Sequence, residues 1–179
     1  MANKIAIIGS RDYPVFNGTH PVDILIKSLP PNTVIVTGGA AGVDRLAESF
    51  ARAYYLPTPQ VFTPEAVIAA NPGMNYGAAC VIRDKQIVDA AQCVFAFWTG
   101  SSRGTSHGLR HALATGKPLT VVGMDGKRMS DADVSARRAE LSAKGTPRSP
   151  KPTPTSPVTT PPKPAPEKPA APSLFGGQL

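Results

Sequence analysis

The chain has 179 residues and a formal net charge of +7, with 41% hydrophobic and 17% charged residues. No apolar run is long enough to resemble a membrane span, and the two cysteines lack a C-x-x-C or other metal-ligand spacing. We expect Cys80 and Cys93 to be buried free thiols. No signal peptide is recognisable, so we expect a cytoplasmic protein, in the host cytoplasm if a phage encodes it.

Charge and proline are unevenly distributed along the chain. Residues 1–126 carry ten Lys and Arg against eight Asp and Glu, whereas residues 127–179 carry nine against four, and 11 of the 20 prolines follow residue 145. A proline-rich polar segment buries too little apolar surface to offset its ordering entropy. We therefore predict a folded domain over 1–126, an appended, exposed helix over 127–144 and a disordered, basic, proline-rich tail over 145–179.

Short apolar runs alternate with helical patterns through the predicted domain. The predicted strands are 4–8, 33–37, 60–62, 93–98 and 118–123. The predicted helices are 23–29, 43–55, 76–91, 106–115 and, in the appendage, 130–144; residues 63–75 are predicted to be a loop with one helical turn. This alternation predicts the α/β class, a three-layer Rossmann-like sandwich on a mostly parallel sheet of about five strands. Ligands of such folds bind at the carboxyl ends of the strands.

Two of these strands end in loops of glycine and small hydroxyl residues, each followed by a helix. The first loop runs from Thr37 through Gly38, Gly39 and Gly42 to Asp44, and the second runs over 99–105. Backbone N–H groups and the dipole at a helix start favour a bound anion. The two loops therefore predict a site that holds a phosphorylated small molecule.

The first loop is neither a dinucleotide fingerprint nor a P-loop. Thr37 occupies the place of the first glycine of G-x-G-x-x-G, no acidic residue ends the next strand, and no Gly-Lys-Ser/Thr follows. A backbone phosphate cradle remains. Asp44 in the first helical turn either accepts hydrogen bonds from a ribose or simply favours the helix dipole.

Several other residues near these loops allow both a functional and a purely structural interpretation. Arg11, in Gly9-Ser10-Arg11, is either a phosphate ligand or a surface residue of an ordinary turn. Arg83 either points into the crevice or pairs with Asp84 or Asp89 on a solvated face. Trp98 either stacks on a base or is a partly buried rim residue, and His107 is a candidate for ligand contact or proton transfer. His107 and His111 have metal-ligand spacing but no third ligand, so we expect no metal and no cofactor.

These residues, in this order, resemble the SLOG superfamily, which includes the Lonely Guy phosphoribohydrolases and the DNA processing protein A domain. The strongest similarity is to a branch of small bacterial and phage proteins of unknown function. It covers about residues 3–123 and rests on these matches: Gly9-Ser10-Arg11, Thr37 to Ala47, Tyr76-Gly77, Arg83, and Gly100 to His107. Two departures stand out: the Glu that Lonely Guy enzymes carry after Gly104-Thr105 is absent, and Asp84 replaces the Asn of the branch.

The resemblance implies a nucleotide or nucleotide-derived ligand. Our leading hypothesis is a nucleotide sensor or sequestering protein. The first alternative is an N-glycosidase like the phosphoribohydrolases, with Arg83 and His107 as catalytic residues; the second is a single-stranded DNA-binding accessory protein. The predicted ligand-binding residues are Gly9, Ser10, Arg11, Thr37, Gly38, Gly39, Gly42, Asp44, Arg83, Trp98, Gly100, Ser101, Ser102, Arg103, Gly104 and Thr105.

The expected partners follow from the same features. The small nucleotide-like molecule comes first, nucleic acid is open but not favoured because the core is nearly neutral, and a membrane is not expected. Analogy with the superfamily makes a homodimer plausible. The apolar end of the tail, Ser173 to Leu179, is either a docking peptide for another protein or an inert terminus.

Overall fold

The computed structural model describes residues 3–14, 16 and 18–143. Its five strands are β1 (Asn3–Gly9), β2 (Thr33–Thr37), β3 (Gln60–Val61), β4 (Cys93–Phe97) and β5 (Leu119–Val122). Its helices are α1 (Pro21–Lys27), α2 (Val43–Ala53), α3 (Pro64–Ala70), α4 (Tyr76–Asp89), α5 (Arg103–Ala114) and α6 (Asp131–Ala143). The predicted disordered tail and its apolar end lie outside the described residues.

The strands form one parallel sheet in the order β3-β2-β1-β4-β5. The chain moves outward from β1 to β3 and then returns past β1 to β4, so the direction of the connections reverses between β1 and β4. In open α/β sheets this switch point is where the crevice opens. The predicted fold class is therefore confirmed, and it puts the loops after β1 and β4 side by side.

Helices cover both faces of the sheet, because alternate side chains of the buried strands point to opposite faces. Ile5 and Ile7 of β1 pack in one core cluster with residues of α1 and α2. Ala6 and Ile8 pack in a second cluster with residues of α4, α5 and α6. The continuous apolar run of β1 is thus the centre of a three-layer sandwich.

Several predicted boundaries are corrected by the structure. The predicted loop 63–75 contains the seven-residue helix α3, which begins after a Thr63 side chain that accepts a hydrogen bond from the Ala66 N–H. Helix α5 begins at Arg103 rather than at residue 106. The second glycine loop is therefore shorter than predicted, and Gly104 and Thr105 belong to the first helical turn.

The last described helix, α6, is mostly exposed but contacts the core through Val134. Val134 of α6 is buried and belongs to the same core cluster as Leu109 of α5 and Val121 of β5. Cys80 and Cys93 are free, but each is partly exposed rather than fully buried. Among the described residues, no helix is long and apolar enough to cross a membrane.

Candidate functional site

Hydroxyl groups join the loops that follow β1 and β4. The Ser10 Oγ lies 3.1 Å from the Thr99 Oγ1 and accepts a hydrogen bond from the Thr99 N–H at 3.2 Å. The Thr99 Oγ1 also lies 3.1 Å from the Ser101 Oγ. Three hydroxyls therefore form a chain across the switch point, and it leads from buried Ser10 to exposed Ser101.

The loop before α2 is pressed against the loop after β1, and glycine permits this approach. Gly42 has a φ of +84°, and a Cβ there would lie 2.5 Å from the Arg11 carbonyl oxygen. A Cβ at Gly9 would lie 2.5 Å from the Cβ of Val43. Larger residues at either position would push the start of α2 away from the switch point.

Arg83 reaches into the crevice from α4, and its guanidinium occupies the space next to Gly38. A Cβ at Gly38 would lie 1.5 Å from the Arg83 Nη1. The Arg83 side chain is 11% exposed. Of the two predicted positions for Arg83, the structure thus supports the crevice, although Arg83 also lies beside Asp84.

The Asp44 carboxylate stabilises the glycine loop from the first turn of α2. Its Oδ2 accepts hydrogen bonds from the Gly38 N–H at 3.1 Å and the Ala40 N–H at 3.3 Å. The same oxygen lies 4.0 Å from the Arg83 Nη1. Asp44 therefore binds its own loop and Arg83, which neither of the two sequence interpretations included.

Asp84 is the second buried carboxylate at this edge. Its Oδ1 lies 3.3 Å from the Arg83 Nε, an ion pair in which that buried Nε makes no hydrogen bond to any described residue. Its Oδ2 lies 3.9 Å from the His107 Nδ1 and 3.9 Å from where a Cβ of Gly104 would be. Asp84 thus faces the first turns of α5, where an anion is predicted to bind.

Burial dominates the protonation of this cluster. It raises the pKa of Asp44 to about 6 against the opposing effect of hydrogen bonds and Arg83. Burial likewise raises the pKa of Asp84 to about 7, and the Asp44 charge adds to this rise while Arg83 opposes it. The pKa of His107 is lowered by burial and then by Arg110 and Arg103, so this imidazole is neutral at pH 7. Near neutral pH the cluster therefore exchanges a proton on Asp84.

The N-terminus of α5 is organised by Ser102. The Ser102 Oγ accepts hydrogen bonds from the Thr105 N–H at 3.4 Å and the Thr105 Oγ1 at 3.0 Å. The Ser102 carbonyl accepts a hydrogen bond from the Trp98 Nε1 at 3.2 Å. A buried tryptophan and a capping serine thus fix the direction in which α5 enters the site.

The structure brings most of the predicted site residues to one edge of the sheet. Thr37 differs, because its buried hydroxyl donates a hydrogen bond to the Glu48 carboxylate at 2.9 Å. Trp98 fits neither of its two interpretations, a base-stacking residue or a partly buried rim residue: the indole is 1% exposed and packs in the core. His111 is paired with Asp89, and the described residues contain no cluster of three metal-ligating side chains.

Sequence reasoning missed two members of this edge. Thr99 was part of the second loop but was not assigned to the site, although it bonds to Ser10. Tyr76 was part of the resemblance without a role, yet it begins α4 and is 55% exposed. The family resemblance included Tyr76 and the second glycine loop included Thr99, but only the fold shows which side chains meet.

No family model matches the chain, and no curated protein does. Among solved structures, the chain is similar to DNA processing protein A from Streptococcus pneumoniae, with a TM-score of 0.56 and 19% identity over 80% of this chain and 56% of that one. It is also similar to DNA processing protein A from Helicobacter pylori, whose structure describes a single-stranded DNA-binding mode, with a TM-score of 0.50 and 22% identity over 80% of this chain and 73% of that one.

At 19% and 22% identity, these likenesses show that the chain shares the α/β fold of the DNA processing protein A structures. The chain spans little more than half the length of the Streptococcus pneumoniae protein, 56%.

Proposed function

We propose that this chain binds a nucleotide through its phosphate, at the carboxyl edge between β1 and β4, as a sensor or sequestering protein. One observation carries the proposal: the N-termini of α2 and α5, the Ser10–Thr99–Ser101 hydroxyls and the Arg83 guanidinium converge on this edge. Helix N-termini, hydroxyls and arginine are the groups that proteins use to hold phosphate.

The charge of the edge sets how the phosphate is held. Arg83 is already accompanied by Asp44 and Asp84, so its positive charge is largely neutralised within the cluster. The attraction for a phosphate therefore depends on the N–H groups of α5 and on exposed Arg11 at the rim. This charge balance favours moderate, reversible affinity for a phosphate over very tight binding.

Single-stranded DNA is the second candidate ligand, because the fold resembles that of the Helicobacter pylori protein, which binds single-stranded DNA. DNA carries the same phosphate and base chemistry, but it needs a basic path beyond one crevice. Within residues 1–126 the near balance of ten Lys and Arg against eight Asp and Glu supports the single nucleotide better.

Calorimetric titration of the full chain with AMP, GMP, CMP, UMP and an oligothymidylate of about 15 nucleotides tests the proposal. We expect one saturable site for at least one mononucleotide and recovery of that nucleotide intact. Binding of the oligonucleotide alone, with affinity falling steeply as salt rises, selects the second candidate. Release of free base with time selects the N-glycosidase, and no binding of any probe overturns the proposal.

A matched pair of variants ties the binding to the site. Arg11→Gln removes an exposed charge at the rim of the crevice, and we expect it to weaken nucleotide binding roughly tenfold. Arg52→Gln removes an exposed charge from the last turn of α2, at the opposite edge of the sheet, and serves as the control. Equal loss in both variants contradicts the assigned site.

A further inference from the structure

Tyr76 is an exposed aromatic side chain that the proposed phosphate site leaves unused. It is the first residue of α4, and it is 55% exposed. Trp98, which follows β4 at the same edge, is 1% exposed and cannot offer a ring face to a ligand. Tyr76 is the more exposed of these two rings, and a nucleotide held at this edge could reach it.

Helix geometry places Tyr76 above Arg83. The two residues are seven positions apart in α4, so they lie on one face of the helix and about 10 Å apart along its axis. The far end of α4 lies at the amino edge of the sheet, where the Gln92 N–H donates to the Lys4 carbonyl. Helix α4 therefore begins at the carboxyl edge, with Tyr76 further out than Arg83 and Gly38.

Charges from both sides of the crevice act on the Tyr76 hydroxyl. Burial raises the pKa of its hydroxyl, aided by Cys80 and Glu65, whereas the positive charges of Arg83 and Arg11 oppose this rise. Arg11 belongs to the loop after β1, so the Tyr76 hydroxyl is within electrostatic range of the opposite wall. A Cβ on neighbouring Gly77 would meet only Asn75, so the chain next to the ring is uncrowded.

We propose that Tyr76 is the base-stacking residue of this crevice, with the nucleotide base on the Tyr76 ring and its phosphate beside Arg83 and the start of α5. The inference rests on the proposed function and extends it to the base. A nucleobase stacks on an aromatic ring without requiring a particular hydrogen-bond pattern. Tyr76 thus sets a preference for aromatic bases over a bare sugar phosphate.

Binding of a nucleotide and of its base-free counterpart separates stacking from a structural effect. For Tyr76→Ala we expect the affinity for AMP to fall about 10- to 100-fold, while the affinity for ribose 5-phosphate stays unchanged. Tyr76→Phe keeps the ring and should bind AMP within about twofold of the unsubstituted chain. Tyr55→Ala is the control for loss of a surface tyrosine. Tyr55 is 93% exposed and follows the C-terminal end of α2, away from the crevice.

The outcomes separate this inference from the proposed function. If AMP binds the unsubstituted chain and Tyr76→Ala equally well, the stacking inference fails and the proposed function stands. If Tyr76→Ala weakens ribose 5-phosphate as much as AMP, Tyr76 supports the fold of the site and the inference also fails. If only the oligonucleotide binds, an abasic oligonucleotide replaces ribose 5-phosphate, and the same comparison decides.

Discussion

Asp84 is a buried carboxylate that faces the edge where we propose a phosphate binds. Arg83, Asp44 and His107 surround it, and its pKa is raised to about 7, mainly by burial. Below this pKa the side chain is neutral and tolerates a neighbouring anion. Above it, the negative charge of Asp84 opposes a phosphate at the start of α5.

We therefore expect nucleotide affinity to fall as the pH rises from 6 to 8, by roughly tenfold, because Asp84 loses its proton in this window. Asp84→Asn, which places the residue of the resembled branch here, should bind more tightly at pH 8 and lose most of this pH dependence. Titration calorimetry of both proteins at the two pH values measures the effect. Ionisation of the nucleotide is common to both and cancels in the ratio of affinities.

Loss of the same proton lowers the stability of the fold at higher pH. The folded protein holds the proton up to about pH 7, whereas an ordinary aspartate releases it near 3.8. The folded state binds more protons between these values, so the free energy of unfolding falls as pH rises through this window and levels off above it. Urea denaturation at pH 5 and pH 7 gives the change in the free energy of unfolding between the two pH values. An equal change in the unsubstituted chain and in Asp84→Asn contradicts a buried Asp84 that holds its proton.

At this scale, sequence reasoning found residue types but not their pairing. Gly38 was predicted to be part of a backbone cradle for phosphate, yet its missing side chain makes room for the Arg83 guanidinium. Arg83 is 45 positions further along the chain, and no local pattern relates the two. Such an approach depends on the crossover between β3 and β4, which only the fold specifies.

Helix α5 illustrates the limits of prediction for whole elements. The three residues 103–105 include Gly104 and the β-branched Thr105, which are poor helix formers, so the pattern predicted a later start. The Ser102 side chain and the bond from Trp98 to its carbonyl favour the earlier one. Strands were easier to predict, because a short apolar run flanked by turn residues is typical of a buried strand. Strand β2 has the predicted bounds.

We expect Ser102→Ala to lower the free energy of unfolding by about 1 kcal/mol, since the cap of α5 is lost. It should also weaken nucleotide binding, because the first turn of α5 frays where the phosphate is proposed to lie. Urea denaturation and calorimetry measure the two effects. Ser135→Ala, at an exposed serine within α6, is the matched control, and an equal change in both variants contradicts the capping role.

For the whole molecule, Val134 connects the mostly exposed helix α6 to the core. Val134 is 4% exposed and packs in the cluster that covers the α4–α5 face of the sheet. Val134→Ala should lower the free energy of unfolding by about 2 kcal/mol, because two methyl groups leave the core. Ile24→Ala, at a residue 58% exposed on α1, should change it far less; a similar loss in both would remove α6 from the cooperative core.

The overall fold was predictable because alternating strands and helices allow few right-handed arrangements. The strand order also divides the site between two stretches of chain: residues 9–44 supply one wall and residues 76–107 supply the other. The α6 packing was not predictable, since a single valine in a charged helix gives no clear periodic signal.

The hydroxyl chain of Ser10, Thr99 and Ser101 crosses the boundary where β1 and β4 pair. A ligand bound to these hydroxyls would therefore link the β1–β3 half of the sheet to the β4–β5 half. Amide hydrogens of the β1–β4 ladder would then exchange more slowly on binding than those of the β1–β2 ladder. Slower hydrogen exchange between β1 and β4 would therefore report that the crevice is occupied, even at amides that do not contact the ligand.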